Sequence, residues 1–199
     1  MTTRTARTKA GTRQRVLDVA EDLIARKGWS AAGVNEVLTA AGVPTGSFYH
    51  HFGSKDAFGR AVLENYFSAY LATMDEIAAT PGTPAAQRLM RFWQQFHDKQ
   101  TIDDCQGRCL VVKLAAEVSD LSETLRATLD EGTTGIIARV EQMLRAGEVD
   151  GSLQLDDDPA QLATWLYGSW LGASLLAKTS RDRRALDTAM TTTRRLLGV

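Results

Sequence analysis

The chain reads as an all-α protein, with a small N-terminal three-helix domain of helix-turn-helix type and a larger helical domain after it. Three observations carry this. Apolar residues recur at helical spacing along the chain, with no convincing strand alternation. Residues 34–60, VNEVLTAAGVPTGSFYHHFGSKDAFGR, hold two short helices around a tight turn and a capped third. At 199 residues the chain is long enough to bury a sizeable core and divide once. The division is expected between residues 1–53 and 54–199.

The first helix is expected over residues 12–27, with Val16, Ala20, Leu23 and Ile24 on one stripe and Gly28 as its stop. Val34, Val37 and Leu38, at i, i+3 and i+4, make the second. It runs out at Ala41-Gly42, where glycine suits a left-handed helix end. Pro44 fits the first turn of a third helix, over 45–52, because a missing N–H costs nothing there. Phe48 and Phe52 anchor that helix, leaving Thr45, Ser47, Tyr49 and His50 facing outward. No hydrophobic core requires such a surface. It is the pattern of a helix-turn-helix, whose second helix enters a DNA major groove.

Ser54 is placed to N-cap a fourth helix, over 54–79, with Asp56 favourable to the helix dipole in its first turn. Its expected stripe is Phe58, Val62, Tyr66, Ala69, Thr73 and Ile77. This helix must leave the first domain and enter the second, which makes it the natural mechanical link. Residues 81–84, PGTP, end it. A fifth helix follows with Leu89, Phe92, Trp93 and Phe96 as its apolar face. Others start near Arg108 and span about 122–146. Asp158, Pro159 and Gln161 supply an N-cap, a proline at N1 and an N3 partner for the next helix. Asp182 is expected to cap the last, with Leu186, Met190, Thr193 and Leu197 on one face.

Net charge is −1, yet its distribution is uneven. Through Arg60 there are nine Lys/Arg and five Asp/Glu, a balance of +4, against fourteen and nineteen, a balance of −5, in the remainder. Arg4, Arg7, Lys9, Arg13 and Arg15 precede any acid. Such asymmetry marks a DNA-facing end. The alternatives for the extreme tip are a solvated, disordered tail and, ranked lower, a transit peptide, since a helical segment follows at once. The uncharged run 159–177 approaches membrane-span length, but Gln161, Thr164, Tyr167, Ser169 and Ser174 interrupt it. It reads as a core and interface helix, and the protein as cytoplasmic with no membrane partner. Trp165 and Trp170 stand beside Gly168, Ser169, Gly172 and Ala173, a pattern that fits a helix contact between subunits or within one core. Because helix-turn-helix readers bind paired half-sites as symmetric dimers, the helices 159–179 and 183–197 are assigned to a homodimer contact.

Cys105 and Cys109 are the only cysteines, too few for a disulfide framework. Cys109 follows Gly107-Arg108 at the expected start of a helix, and a helix N-terminus with a nearby arginine stabilises a thiolate. The competing reading is a buried, inert cysteine beside Leu110 and Val111. Metal binding finds no support: His50 and His51 point about 100° apart on a helix, His97 stands alone, and Asp156-Asp157-Asp158 is a polar turn with a cap. There is no P-loop, dinucleotide fingerprint or nucleophile elbow. Hence no catalytic residue, metal or cofactor is assigned, and the chain is read as a non-enzyme.

GVPTGSFYHHFGSKDAF resembles the signature of TetR-type bacterial repressors. The resemblance implies a DNA-binding domain on a larger helical domain that binds an inducer and dimerises. Thr45, Gly46, Ser47, Tyr49, His50 and Lys55 then form the DNA-binding set. Tyr49 and Lys55 are assigned to phosphates, Ser47 and His50 to base edges, and Thr45 to either. The position of Thr45 is often basic in relatives, so this chain leans less on that contact or uses the hydroxyl. CLVVKLAAEVSDLSE and LGASLLAKTS resemble the subgroup that controls N-ethylmaleimide reductase and responds to quinones, aldehydes, glyoxals and hypochlorite. Its sensing cysteine falls at Cys109 and a lysine beside it at Lys178, whose alternative role is a helix-end cation. Cys105 departs from the subgroup's pattern; a resolving role is the function open to it. Three functions compete: a repressor released by electrophiles at Cys109, the same repressor released by a reversible small-molecule inducer, and a cysteine enzyme retaining the fold.

Overall fold

The computed structural model describes residues 2–107 and 109–199, with side chains from residue 11 onward. Among these residues are nine α-helices and no strand. They are α1 (Thr2–Lys27), α2 (Val34–Ala40), α3 (Ser47–Phe52), α4 (Lys55–Ala78), α5 (Ala85–Cys105), α6 (Leu110–Ser119), α7 (Glu123–Val149), α8 (Pro159–Ser180) and α9 (Arg184–Leu197). The chain divides into two units, Met1–Ser68 with Lys113–Gly132, and Ala69–Val112 with Thr133–Val199, so α4, α6 and α7 supply residues to both.

In the first unit α1 begins ten residues earlier than expected, and the basic arm forms its opening turns. Ala, Arg and Lys are strong helix formers and no proline interrupts them, so Gly11 alone does not break the run. Val16, Leu17, Ala20 and Ile24 are buried, and the chain leaves α1 at Gly28, φ +91°. The end of α2 is a Schellman motif: Val43 N–H donates to the Leu38 carbonyl at 2.9 Å and Gly42 N–H to that of Thr39 at 3.1 Å, with Gly42 at φ +65°. α3 starts two residues later than expected. Ser47 and Phe48 donate to the carbonyls of Pro44 and Thr45, a three-residue spacing that makes 44–46 a tight lead-in turn. Phe48 and Phe52 are buried beneath it against Phe58, with ring centroids at 5.4 and 4.8 Å.

Ser54 caps α4 as expected, its Oγ accepting from Ala57 N–H at 3.1 Å. The α4 stripe is only partly right. Phe58, Val62 and Ile77 are buried, but Ala69 is exposed and Tyr66 and Thr73 are half-buried; Leu63, Phe67 and Met74 take the core instead. The notch at Gly132 on α7 explains Phe67, because a Cβ there would lie 2.2 Å from the Phe67 ring.

In the second unit Leu89, Phe92, Trp93 and Phe96 are buried on α5 as the spacing predicts. Trp93 stacks on Trp170 of α8 at 5.1 Å and 8°, and Trp170 Nε1 donates to Thr193 Oγ1 of α9 at 3.0 Å. Of the two roles open to it, Trp170 is therefore a core residue with no exposed surface. His97 is a buried core histidine, its Nε2 2.8 Å from Asp187 Oδ1. Asp158 caps α8, accepting from Ala160 and Gln161 N–H at 3.0 and 3.1 Å. Asp182 accepts from Arg184 N–H at 2.8 Å one position ahead of the cap residue, Arg183, which makes no side-chain cap bond. No helix among the described residues is long and apolar enough to cross a membrane.

Candidate DNA-reading face and sensor segment

The turn before α3 and the helix itself present one polar face. Thr45, Gly46, Tyr49, His50 and Lys55 are exposed and Ser47 is half-buried at the first helical position. Tyr49, 73% exposed, stands edge-on to Phe48 at 5.3 Å, so the buried ring steadies an outward phenol. Gly46 has an ordinary φ of −60°, and a Cβ on it would meet nothing within 4 Å. Nothing inside the unit therefore demands glycine, whereas close approach to an external backbone would. Arg13 of α1 lies over the Phe52 ring, 5.5 Å from its centroid. Lys55 Nζ sits 5.0 Å from the Trp29 ring centroid, a cation–π arrangement that residue spacing does not reveal.

The cysteines lie in the second unit. α5 is interrupted near its end: Ile102 is extended, and Asp103, Asp104 and Cys105 follow with φ of +50°, +54° and +61°. Three successive non-glycine residues in the left-handed region are strained. Beyond this turn, α8 and its C-terminal residue hold the chain. The Gln106 amide, with its oxygen toward Arg181, accepts from Nη1 at 2.7 Å and Nε at 2.8 Å. Lys178 Nζ donates to the Gly107 carbonyl at 3.2 Å. Gly107 lies flat on α5, where a Cβ would come within 2.6 Å of Gln100 Cα. Arg108 lies outside the described residues, and with it the expected arginine effect on the thiol.

Cys109 is buried directly ahead of α6. It neighbours the buried phenol of Tyr167 and the half-buried Tyr70. Burial first, then the charges of Tyr167 and Cys109, push Tyr70 well above the usual tyrosine range; burial and then Cys109 do the same to Tyr167. Cys105 is buried too, and burial followed by the charges of Asp182 and Asp104 pushes its thiol up, away from the nucleophilic form. No disulfide joins the two. Lys178 thus reaches the segment that leads into Cys109, while Cys105 sits where its thiolate is disfavoured.

On α8 and α9, Trp165, Leu175, Leu176 and Leu196 are exposed by 40–62%. Trp165, Gly172, Leu176, Ala185 and Ala189 are among the residues lining a groove of about 550 Å³ between the two helices. No group of three or more His, Cys, Asp or Glu that could hold a metal occurs among the described residues.

A short outward helix set by a glycine turn, with a separate helical unit carrying a buried cysteine segment, defines a helix-turn-helix regulator. The chain belongs to the TetR family. Residues 16–62 match "Bacterial regulatory proteins, tetR family" and residues 85–193 match "Tetracyclin repressor-like, C-terminal domain". The chain is similar to the HTH-type transcriptional repressor NemR of Escherichia coli (strain K12), 39% identical over 92% of each chain. It is also similar to the repressor DhaR of Mycobacterium sp. (strain GP1), 33% identical over 90% of this chain and 88% of that one. The crystal structure of E. coli NemR in its reduced form has a TM-score of 0.89 at 38% identity, covering 94% of this chain and 97% of the other.

Proposed function

We propose that this protein is a transcriptional repressor released from its operator when an electrophile or oxidant modifies Cys109. The observation that carries the sensing half is the Lys178–Gly107 bond at 3.2 Å, which brings an ammonium to the backbone two residues before a buried cysteine at a helix start. The ammonium and the helix start favour the thiolate, the form that attacks electrophiles, and oppose the effect of burial. With a quinone, the sulfur bonds to a ring carbon and the ring takes up the proton, so no further reactant is needed. Similarity to NemR supports the same reading.

The DNA half rests on the α3 face. Tyr49 and Lys55 hold phosphates, Ser47 and His50 face base edges, Thr45 serves either role, and Gly46 lets the backbone approach closely. A homodimer through α8 and α9 reads a near-palindromic operator with half-sites one helical turn, roughly 34–36 Å, or a multiple of it apart. Added bulk at Cys109 displaces packed elements instead of compressing them, and α4, which like α6 and α7 supplies residues to both units, is the element that carries the displacement to α3. Turning a 1:99 population into 99:1 takes a difference of about 5.5 kcal/mol between the states. Misplacing two recognition helices with their phosphate contacts supplies a difference of that order.

A second reading keeps the repressor but makes the inducer reversible; the phenols of Tyr70 and Tyr167 beside Cys109 favour it, as aromatic walls suit a bound small molecule. Fluorescence anisotropy with DNA from upstream of the gene, with methylglyoxal or a quinone and then thiol reductant, separates the readings. Release that persists after the electrophile is removed by dilution supports covalent sensing. Release that dilution alone reverses, and that Cys109→Ser retains, supports the reversible inducer. An absence of DNA binding together with turnover of the electrophile would point to the enzyme.

A further inference from the structure

Both carboxylate oxygens of Glu117, on α6, are taken up by the turn that follows α1. Oε2 accepts from Trp29 N–H at 3.0 Å and Oε1 from Ser30 N–H at 2.7 Å. In the same turn the amides of Gly28 and Ala32 go to the carbonyls of Ile24 and Gly28. Gly28 makes room for the arrangement, since a Cβ there would lie 2.8 Å from Glu117 Oε2. Burial opposes the charge of Glu117, but the Ser30 and Trp29 hydrogen bonds, with Lys113 one turn back, hold its carboxyl below the usual range. The carboxylate is thus built into the turn as an anion.

What the turn positions is an indole. Trp29 is buried against Gly59 of α4, where a Cβ would lie 2.5 Å from Trp29 Cη2. The ring's partner is Lys55 Nζ, 5.0 Å from the ring centroid at the start of α4. A lysine otherwise spreads its ammonium over many rotamers, and a fixed aromatic surface restricts where the charge is offered.

We propose that Glu117 is a positioning residue for DNA recognition: by gripping the Trp29 and Ser30 amides it fixes the indole beneath Lys55 and so sets where that ammonium meets a phosphate. The inference rests on the reading of Lys55 as a phosphate contact. Glu117→Gln keeps the shape but turns an amide N–H toward an N–H donor, which loosens the turn.

The test is operator affinity across a salt series for wild type, Glu117→Gln, Lys55→Ala and the double variant, with Trp29 and Ser30 amide exchange followed by NMR. Glu117→Gln is expected to speed exchange of both amides, lower affinity about tenfold and reduce the salt slope by roughly one. The double variant is expected to bind no more weakly than Lys55→Ala alone. Wild-type affinity in Glu117→Gln, or losses that add in the double variant, would overturn the proposal, because a merely structural role is additive. If Glu117→Gln lacks helical circular dichroism, Trp29→Phe replaces it: a reduced slope that does not add to Lys55→Ala supports the proposal, and an unchanged slope overturns it. A Lys55→Ala variant indistinguishable from wild type removes the underlying reading as well. In that case amide exchange still reports the Glu117 grip separately.

Discussion

Lys178 and Gly107 are 71 residues apart in sequence, yet the lysine ammonium donates to the glycine carbonyl at 3.2 Å. The bond ties α8 to the segment that enters Cys109. It also turns Lys178 from a residue that merely ends an uncharged run into one that holds the backbone two positions before Cys109. Lys178→Ala is expected to blunt the response to a quinone while leaving DNA binding in place. Its cost in stability should be about 1.5–3 kcal/mol, the range for a hydrogen bond involving a charged group. Dose–response curves by anisotropy and a urea melt measure the two effects; a wild-type dose response would remove Lys178 from the sensor.

Cys109→Ser nearly conserves volume at a buried position, so operator affinity should stay within about twofold of wild type, a few tenths of a kcal/mol. It should remain bound when methylglyoxal or a quinone is added. Cys105→Ser should respond nearly as wild type, because burial and the neighbouring aspartates keep the Cys105 thiol protonated. Mass spectrometry of the treated protein should find the adduct on Cys109. Release of Cys109→Ser with the wild-type dose response makes the thiol structural and leaves the reversible inducer as the reading.

Lys55→Ala should weaken all DNA sequences similarly and reduce the salt slope by roughly one, the signature of a lost phosphate contact. His50→Ala should instead change which operator variants are preferred, with about 1–3 kcal/mol lost at the position it reads. Anisotropy on a panel of single-base operator variants distinguishes the two. An intact salt slope in Lys55→Ala would mean that the docking assignment is wrong.

Leu176 is 62% exposed and lines the groove between α8 and α9. A carboxylate there must be desolvated in the proposed homodimer, so Leu176→Glu should cost on the order of 2 kcal/mol or more of association. Sedimentation should move from dimer toward monomer at micromolar concentration, with operator affinity falling in parallel. A wild-type protein that sediments as a monomer with and without DNA would remove the dimer.

Asp187 joins α9 to α5 through His97, and hydrogen bonds from Arg183 and then His97 hold its carboxyl below the usual range. A depressed carboxylate contributes stability above its unfolded value of about 3.9 and loses it as pH falls through the lower folded value. Asp187→Asn should therefore destabilise the protein near pH 7 and flatten the acid arm of its stability profile. Urea melts at pH 7 and at pH 3 test this; equal losses at both would assign Asp187 a packing role alone.

Local chemistry made the reading helix legible. Gly42, Pro44, Phe48 and Phe52 act within an eleven-residue window, and the structure changes only where α3 starts, because 44–46 close a tight turn first. The α8 tryptophans were harder. Trp165 and Trp170 sit on one helix in similar surroundings, and only the stack of Trp170 on Trp93 decides which faces inward. Phe67 took a core place assigned to Ala69 because Gly132, 65 positions away, leaves a notch for its ring. Glu117 left no signal: an acid on a helix reads as solvated surface until Trp29 and Ser30, nearly ninety residues earlier, present their amides. Cys109 was marked by its place at a helix start, but a sensing role for it and the choice of Lys178 came through family resemblance, since spacing alone does not bring α8 to Gly107.

The Schellman turn at Gly42 separates two burdens that many binding surfaces share. Backbone groups alone set the exit from α2, and Phe48 and Phe52 seat α3 from beneath. The outward positions 45, 49 and 50 carry little responsibility for folding. If they read DNA as proposed, a lineage can exchange them one at a time and arrive at a new operator without first repairing a damaged domain. On the proposed reading, the same scaffold can be redeployed in front of different genes with its second unit inherited unchanged.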